Sequence, residues 1–353
     1  MHPISEKLIV WYNTHQRELP WRNINDPYKI WLSEIILQQT QVVQGLNYYL
    51  KFIETFPTVT DLANAPEDQV LRLWQGLGYY SRARNLHAAS KFIISNYNGQ
   101  FPNTFETIKQ LKGVGDYTAA AIASFAFGLP HAVVDGNVYR VLSRLFNLET
   151  PINSSKGKKE FQYLADDLLH TAQPALHNSS IMEFGALWCK PQNPKCEDCP
   201  LQENCLAYHH DMVAQLPVKA KNIKIKTRYL HYFIFNLGED VYIQKRTEKD
   251  IWQNLYEFFL IETSGIMEET KLLCNPKLLE VANDFEVVSI TPAKKHILSH
   301  QHLYATFYEL KIKQTLSEDN FIKVTRNELN LYGLPQLITK YLNTKLNLQT
   351  VIL

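Results

Sequence analysis

LKGVGDYTAAAIASFAF, residues 111–127, carries the reading on which the fold turns. Gly113 and Gly115 interrupt the chain between TFETIKQLKG and DYTAAAIASFAFG, two stretches of helical composition. Glycine permits a positive φ and lets another backbone approach closely. A helix opening at Asp116 would turn its free N–H groups outward, which makes an anion site of amides rather than of charge. Gly113, Val114 and Gly115 are therefore candidate contacts to a phosphate backbone, in the helix-hairpin-helix manner that needs no base sequence. A plain helical corner would use the same residues.

Outward from this hairpin, helical spacing of apolar residues dominates the first two thirds of the 353 residues. PYKIWLSEIILQQTQVVQGLNYYLKFIETF opens on a first-turn proline, Pro27. APEDQVLRLWQG, SRARNLHAASKFIISNY, GNVYRVLSRLF, SKGKKEFQYLADDLLHT and NSSIMEFGALWC read as further helices. The character changes at LPVKAKNIKIKTR, 216–228, which holds five basic residues and no acid and reads as a linker. Beyond it, RYLHYFIFNLG, VYIQKRT, FEVVSI and YATFYELKIK are short β-branched and aromatic runs, and LPQLITKYLNTKL suggests a closing helix. The expected class is an all-α part followed by an α+β domain.

A hydrophobic content of 45 % supports packed cores and excludes disorder as the main state. The formal charge of +1 does not announce a nucleic-acid binder, so such binding must rest on local features like the hairpin. There is no apolar run of the length a membrane span needs, and the N-terminus lacks a signal-peptide core. An intracellular, cytoplasmic protein is expected, without membrane association.

Cys189, Cys196, Cys199 and Cys205 form C-x6-C-x2-C-x5-C. Four thiolates this close suit zinc or an iron–sulfur cluster. Zinc ribbons usually present two C-x2-C knuckles; the single knuckle here fits a 4Fe-4S cluster better. Cys274 stands apart as an ordinary thiol. No nicotinamide or flavin glycine fingerprint accompanies the cysteines.

Two carboxylates lie in contrasting contexts. Glu34 sits within WLSEIIL, where desolvation would raise its pKa and keep it protonated, as a general acid requires. Asp135 follows an apolar stretch and precedes a helix, whose N-terminus favours the ionised form. One protonated and one ionised acid is the pairing that breaks glycosidic bonds. The plainer readings are a glutamate on the polar edge of a helix and an aspartate that only caps one.

Together the motifs resemble the adenine DNA glycosylases of the MutY type, in the helix-hairpin-helix endonuclease III superfamily. LPWR at 19–22, WLSEIILQQTQV at 31–42, LGYYSRARNLH at 77–87, LKGVGDYTAAAIASFAF at 111–127, VVDGNVYRVLSR at 133–144, MEFGALWC at 182–189 and the cysteine set carry the resemblance. It implies a cluster domain from residues 1–24 and 133–215, a six-helix barrel with the hairpin over 25–132, the linker 216–228, and a Nudix-like 8-oxoguanine-reading domain over 229–353. It implies removal of adenine opposite 8-oxoguanine or G in double-stranded DNA, by a monomer that associates with the nucleoid.

In that family pattern Glu34 matches the general acid for adenine N7 and Asp135 the carboxylate that stabilises the oxocarbenium ion. Tyr117 and Asn137 match residues that position the sugar and water. Trp21, Arg22 and Leu37 match the adenine pocket. Gln39, Thr40, Leu77 and Tyr79 match contacts to 8-oxoguanine or wedges into the stack, and Ser299 in KHILSHQHLYATFYEL matches a damaged-base contact.

Tyr117 stands where bifunctional relatives carry a Schiff-base lysine, so a monofunctional enzyme is expected. Ser179 replaces a Gln or Glu common in relatives, the Nudix acid box is missing around Glu268 and Glu269, and IWQNLYEFFLIE lacks the usual glycines. The competing readings are an endonuclease III-like pyrimidine or thymine glycosylase, an iron–sulfur electron carrier, and a non-catalytic iron–sulfur DNA-binding protein.

Overall fold

The computed structural model describes residues 2–220, 225–316 and 320–350, with side chains to 345. Residues 221–224 of the expected basic linker lie outside the described residues. The chain divides into two compact units, Met1–Asn64 with Asn85–Lys221, and Ala65–Arg84 with Asn222–Leu353. Residues 65–84, counted with the helical barrel in the sequence reading, thus group with the C-terminal unit.

The first unit holds α1 (Pro3–His15), α2 (Pro27–Leu37), α3 (Val42–Thr55) and α4 (Val59–Asn64). It continues with most of α6 (Ser81–Tyr97), then α7 (Phe105–Lys109), α8 (Asp116–Phe127), α9 (Gly136–Leu145), α10 (Ser155–Leu168), α11 (Pro174–Leu187) and α12 (Leu206–His209). The short α5 (Glu67–Leu73) belongs to the second unit.

Local chemistry sets the helix starts. The Asp26 carboxylate accepts from the Tyr28 and Lys29 amides, and Pro27 supplies a preset φ at the first helical position of α2. Tyr28, Ile30, Trp31, Leu32, Ile35 and Ile36 are all buried. A helix apolar on every side must lie inside the unit, and that carries Glu34 inside with it. α8 behaves likewise: Thr118 to Ser124 is one buried run.

One apolar cluster joins Ile4, Leu8 and Trp11 of α1 to Val138 and Leu142 of α9, Phe161 of α10, Phe184 of α11 and Leu201. The first residues of the chain are therefore cemented to the segment that bears the cysteines. At roughly 25 cal/mol per Å² of apolar surface, such burial is the main force holding α1 there.

The second unit is built on a seven-stranded mixed sheet of order β3-β2-β1-β6-β5, with β4 also on β1 and β7 on β2. The strands are β1 (Lys226–Leu237), β2 (Asp240–Lys245), β3 (Tyr256–Glu257), β4 (Phe259–Thr263), β5 (Phe285–Ile297), β6 (Gln301–Ile312) and β7 (Phe321–Thr325). β1 and β6 run parallel, paired from Lys226↔Gln301 to Asn236↔Lys311. Phe233, Phe235 and Leu310 pack against Leu272 of α13 (Glu269–Leu273) and Leu278 of α14 (Pro276–Val281). The final helix α15 (Gln336–Thr350) contributes Tyr341, whose ring stacks on Phe307 at 4.0 Å. Among the described residues, no helix is long and apolar enough to cross a membrane.

Candidate active site and cluster site

A cavity of about 990 Å³ opens in the first unit. Trp21, Arg22, Leu37, Gln39, Thr40, Glu34, Tyr117, Asp135 and Asn137 all line it. These nine of the sequence-derived candidates come from separate stretches of chain, and the helices bring them to one place.

Glu34 is only 7 % exposed. Burial pushes its pKa up to about 7, with Asp135 adding to the rise, against the Tyr117 hydrogen bond and Arg22. The Tyr117 hydroxyl donates to Oε2 of Glu34 at 2.6 Å. Burial beside two acids holds the Tyr117 phenol itself well above its ordinary range, so it stays a donor.

Asp135 caps α9. Its Oδ1 accepts from the Asn137 and Val138 amides at 2.8 Å each, and its Oδ2 from Asn137 Nδ2 at 2.7 Å. Burial raises this carboxyl too, while the three donors and Arg140 oppose the rise. With N–H groups aimed at both oxygens, the geometry suits the anion; a neutral acid would have to turn one oxygen into a donor.

Two residues absent from the sequence candidates complete the wall. Glu183 of α11 is buried and accepts a fork from Arg17, Nε at 2.8 Å and Nη2 at 2.7 Å, plus Nη2 of Arg22 at 2.6 Å. Burial raises Glu183, but the two guanidinium groups outweigh it and take it down to about 2. Ser179 lines the cavity one turn before Glu183, so α11 still presents a carboxylate beside it. The signal in the sequence was Glu183 as the sole acid of α11, with Arg17 and Arg22 as its partners legible only once the helices are packed.

Arg140 connects this cavity to the cysteine segment. It donates to the carbonyls of Cys189 and Gly185 at 2.7 Å each and to Oδ1 of Asn137 at 2.9 Å. Gly185 matters here because a Cβ would meet Asn137 Cβ at 2.7 Å and the Asn137 carbonyl oxygen at 2.9 Å.

The four cysteines are partly buried free thiols within electrostatic reach of one another. Burial pushes the Cys199 thiol up to about 12, with the other three adding to the rise. Such a set carries four negative charges only with a bound metal centre to balance them. Arg144 donates to Cys189 Sγ at 3.4 Å and to the Lys190 carbonyl at 2.7 Å. Among the described residues no three Cys, His, Asp or Glu side chains close on one point as a single ion requires. Four soft thiolate donors suit an iron–sulfur cluster, which Cys189, Cys196, Cys199 and Cys205 would hold.

The hairpin places Gly113 at φ +84°, where a Cβ would also meet Asn85 Cβ at 2.8 Å. Gly115 precedes α8 with no side-chain cap on that helix.

The remaining candidates lie in the second unit. Leu77 is buried, Tyr79 is 47 % exposed, and the Tyr79 and Ser299 hydroxyls are hydrogen-bonded. Glu268 of the lost acid box pairs at the surface with Lys271.

The model for the HhH-GPD superfamily base excision DNA repair proteins matches residues 32–166. The iron-sulfur binding domain of endonuclease III matches 189–205, and the NUDIX domain matches 230–344. An adenine DNA glycosylase of Buchnera aphidicola subsp. Baizongia pistaciae is 35 % identical over 347 residues, 95 % of this chain and 94 % of that one. The adenine DNA glycosylase of Homo sapiens is 43 % identical over 209 residues, covering 57 % of this chain and 38 % of that protein. Among solved structures, a thermostable thymine-DNA glycosylase superposes with TM-score 0.55 at 31 % identity, over 59 % of this chain and 95 % of its own. A trapped endonuclease III–DNA intermediate gives 0.52 at 23 % over the same shares, a likeness of fold alone. The chain thus belongs to the adenine DNA glycosylase family, as a DNA N-glycosylase of base excision repair with a helix-hairpin-helix helical part, a 4Fe-4S cluster and a Nudix-like C-terminal domain.

Proposed function

We propose that the protein excises adenine paired with 8-oxoguanine, or with G, from double-stranded DNA, acting as a monofunctional monomer. The observation that carries this reading is a buried Glu34, raised to about 7, in the same cavity as an N–H-solvated Asp135. The target base must first leave the stack, at a cost of a few kcal/mol. Trp21, Arg22 and Leu37 line the space that would receive it.

Tyr117 engages Oε2 of Glu34, which leaves Oε1 to carry the mobile proton to adenine N7. The protonated base departs as a neutral leaving group. Asp135, held by Asn137, stabilises the positive sugar that remains, while Tyr117 and Asn137 position the sugar and the water that adds to it, whose proton returns to the Glu34 carboxylate. The Tyr117 phenol offers no amine for a Schiff base, so strand cleavage does not follow.

Gly113 and Gly115 grip the phosphate backbone through amides, which fits the near-neutral charge of +1, while Val114 shapes the turn between them, its own amide donating to the Leu111 carbonyl at 3.0 Å. Gln39 and Thr40, which line the cavity, are assigned to the opposite base by the family pattern, as are Leu77, Tyr79 and Ser299. We keep the division of the first unit into a cluster domain, 1–24 with 133–215, and a barrel as part of this proposal. The α1 cluster with α9 to α11 supports it. The site of action is DNA in the cytoplasm.

The test is single-turnover release of adenine from duplexes holding A opposite 8-oxoguanine, G or T. The first should react fastest; failure to release adenine from it would reject the substrate reading. Gly185→Ala should slow that release by about a hundredfold, because its methyl displaces Asn137. Thermal melting of the same variant shows whether the fold is retained.

A further inference from the structure

Residues 76–79 display an exposed aromatic on a left-handed turn, with φ +99° at Gly76, +74° at Gly78 and +48° at Tyr79. A tyrosine avoids that region unless its surroundings hold it there. Arg82, in the first turn of α6, lies directly beneath and is only 8 % exposed. Its guanidinium carbon sits 5.6 Å from the Tyr79 ring centroid and 5.0 Å from that of Trp74. Its Nη2 donates to the Gly78 carbonyl at 3.3 Å and reaches the Leu77 carbonyl at 3.5 Å, while its backbone amide donates to the Tyr79 carbonyl at 2.9 Å. Trp74 Nε1 donates to the same Gly78 carbonyl at 3.0 Å.

We propose that Arg82 is a positioning residue for recognition of the base opposite adenine, clamping the Tyr79 ring and turn so that 8-oxoguanine is preferred over G. The inference rests on the reading of Tyr79 given above. A planar guanidinium can lie against two rings while forking to backbone carbonyls. Lysine keeps the charge but loses the fork and the flat face. Methionine keeps only bulk.

The experiment measures single-turnover adenine release opposite 8-oxoguanine and opposite G for the parent, Tyr79→Ala, Arg82→Lys, Arg82→Met and the Tyr79→Ala/Arg82→Met double variant. Arg82→Met should lower the ratio of the two rates about tenfold. Arg82→Lys should lie between it and the parent. The double variant should match Tyr79→Ala alone, since both changes remove one device. Equal loss on both duplexes, with the ratio intact, would mean a merely structural arginine and overturn the proposal. If Arg82→Met does not fold, the lysine variant decides, and an unchanged ratio there is likewise fatal. A collapsed ratio in Tyr79→Ala with an intact one in the Arg82 variants rejects Arg82 alone. An intact ratio in Tyr79→Ala rejects the underlying reading of Tyr79 as well.

Discussion

Glu34→Gln is expected to bind a duplex with A opposite 8-oxoguanine at close to the parent affinity yet release adenine about a thousandfold more slowly, or less. The amide keeps the shape and still accepts from Tyr117, but has no proton to give. The pH profile supplies an independent check. With Glu34 at about 7, the parent rate should fall as pH rises past 7, because the proton donor is lost. On the acid side it should fall as Asp135 takes up a proton, at a pH above the usual aspartate range because burial raises that group. Glu34→Gln should lose the alkaline limb.

The same group links activity to stability. Its folded pKa lies above the unfolded value, so between pH 4.5 and 7 the folded chain holds a proton that the unfolded chain has released. Stability therefore falls with rising pH across that window, and the penalty is complete above 7. Glu34→Gln should remove it, raising stability at pH 8 by up to about 3 kcal/mol while leaving it nearly unchanged at pH 4. Urea unfolding at the two pH values reads this difference. A variant no more stable at pH 8 than at pH 4, relative to the parent, would contradict a desolvated acid at this position.

Cys199→Ser is the second large effect. Serine offers a hard hydroxyl of far higher pKa in a site made of soft thiols, so cluster iron and sulfide should fall to near zero on analysis. The consequence should reach the cavity. Arg140 holds both the Cys189 carbonyl and the Asn137 side chain, and Asn137 holds Asp135. A loosened 189–205 segment would free Arg140 and, with it, the anion's support. Adenine release should drop by at least about a hundredfold, and duplex affinity with it. Iron content intact in the serine variant would sink the assignment of Cys199 as a ligand.

Much of this was legible in residue order because local chemistry enforces it. Asp26-Pro27 starts α2, the apolar run of that helix buries Glu34, and Asp135 caps α9 through its own neighbours' amides. The cysteine spacing lies within 17 residues, so no long-range folding was needed to see it. The parallel pairing of β1 with β6 was not legible, since the strands are separated by most of the domain and any aromatic run could pair with any other. Nor was the grouping of residues 65–84 with the C-terminal unit, because helical periodicity says which face is buried and not against what.

Taken alone, the order of residues determined which acids are desolvated or capped, where the backbone offers amides to an anion, and which thiols can share iron. These are effects of neighbours within a few positions. Tertiary structure decided that Glu34, Tyr117 and Asp135 share one cavity, that Glu183 gathers Arg17 and Arg22 on its wall, and that Arg140 ties Asn137 to the cysteine segment. Those contacts join residues from about 50 to more than 160 positions apart, apart from the local Arg140–Asn137 bond. Only the packing of whole helices, driven by apolar burial that is indifferent to chemistry, brings them within reach.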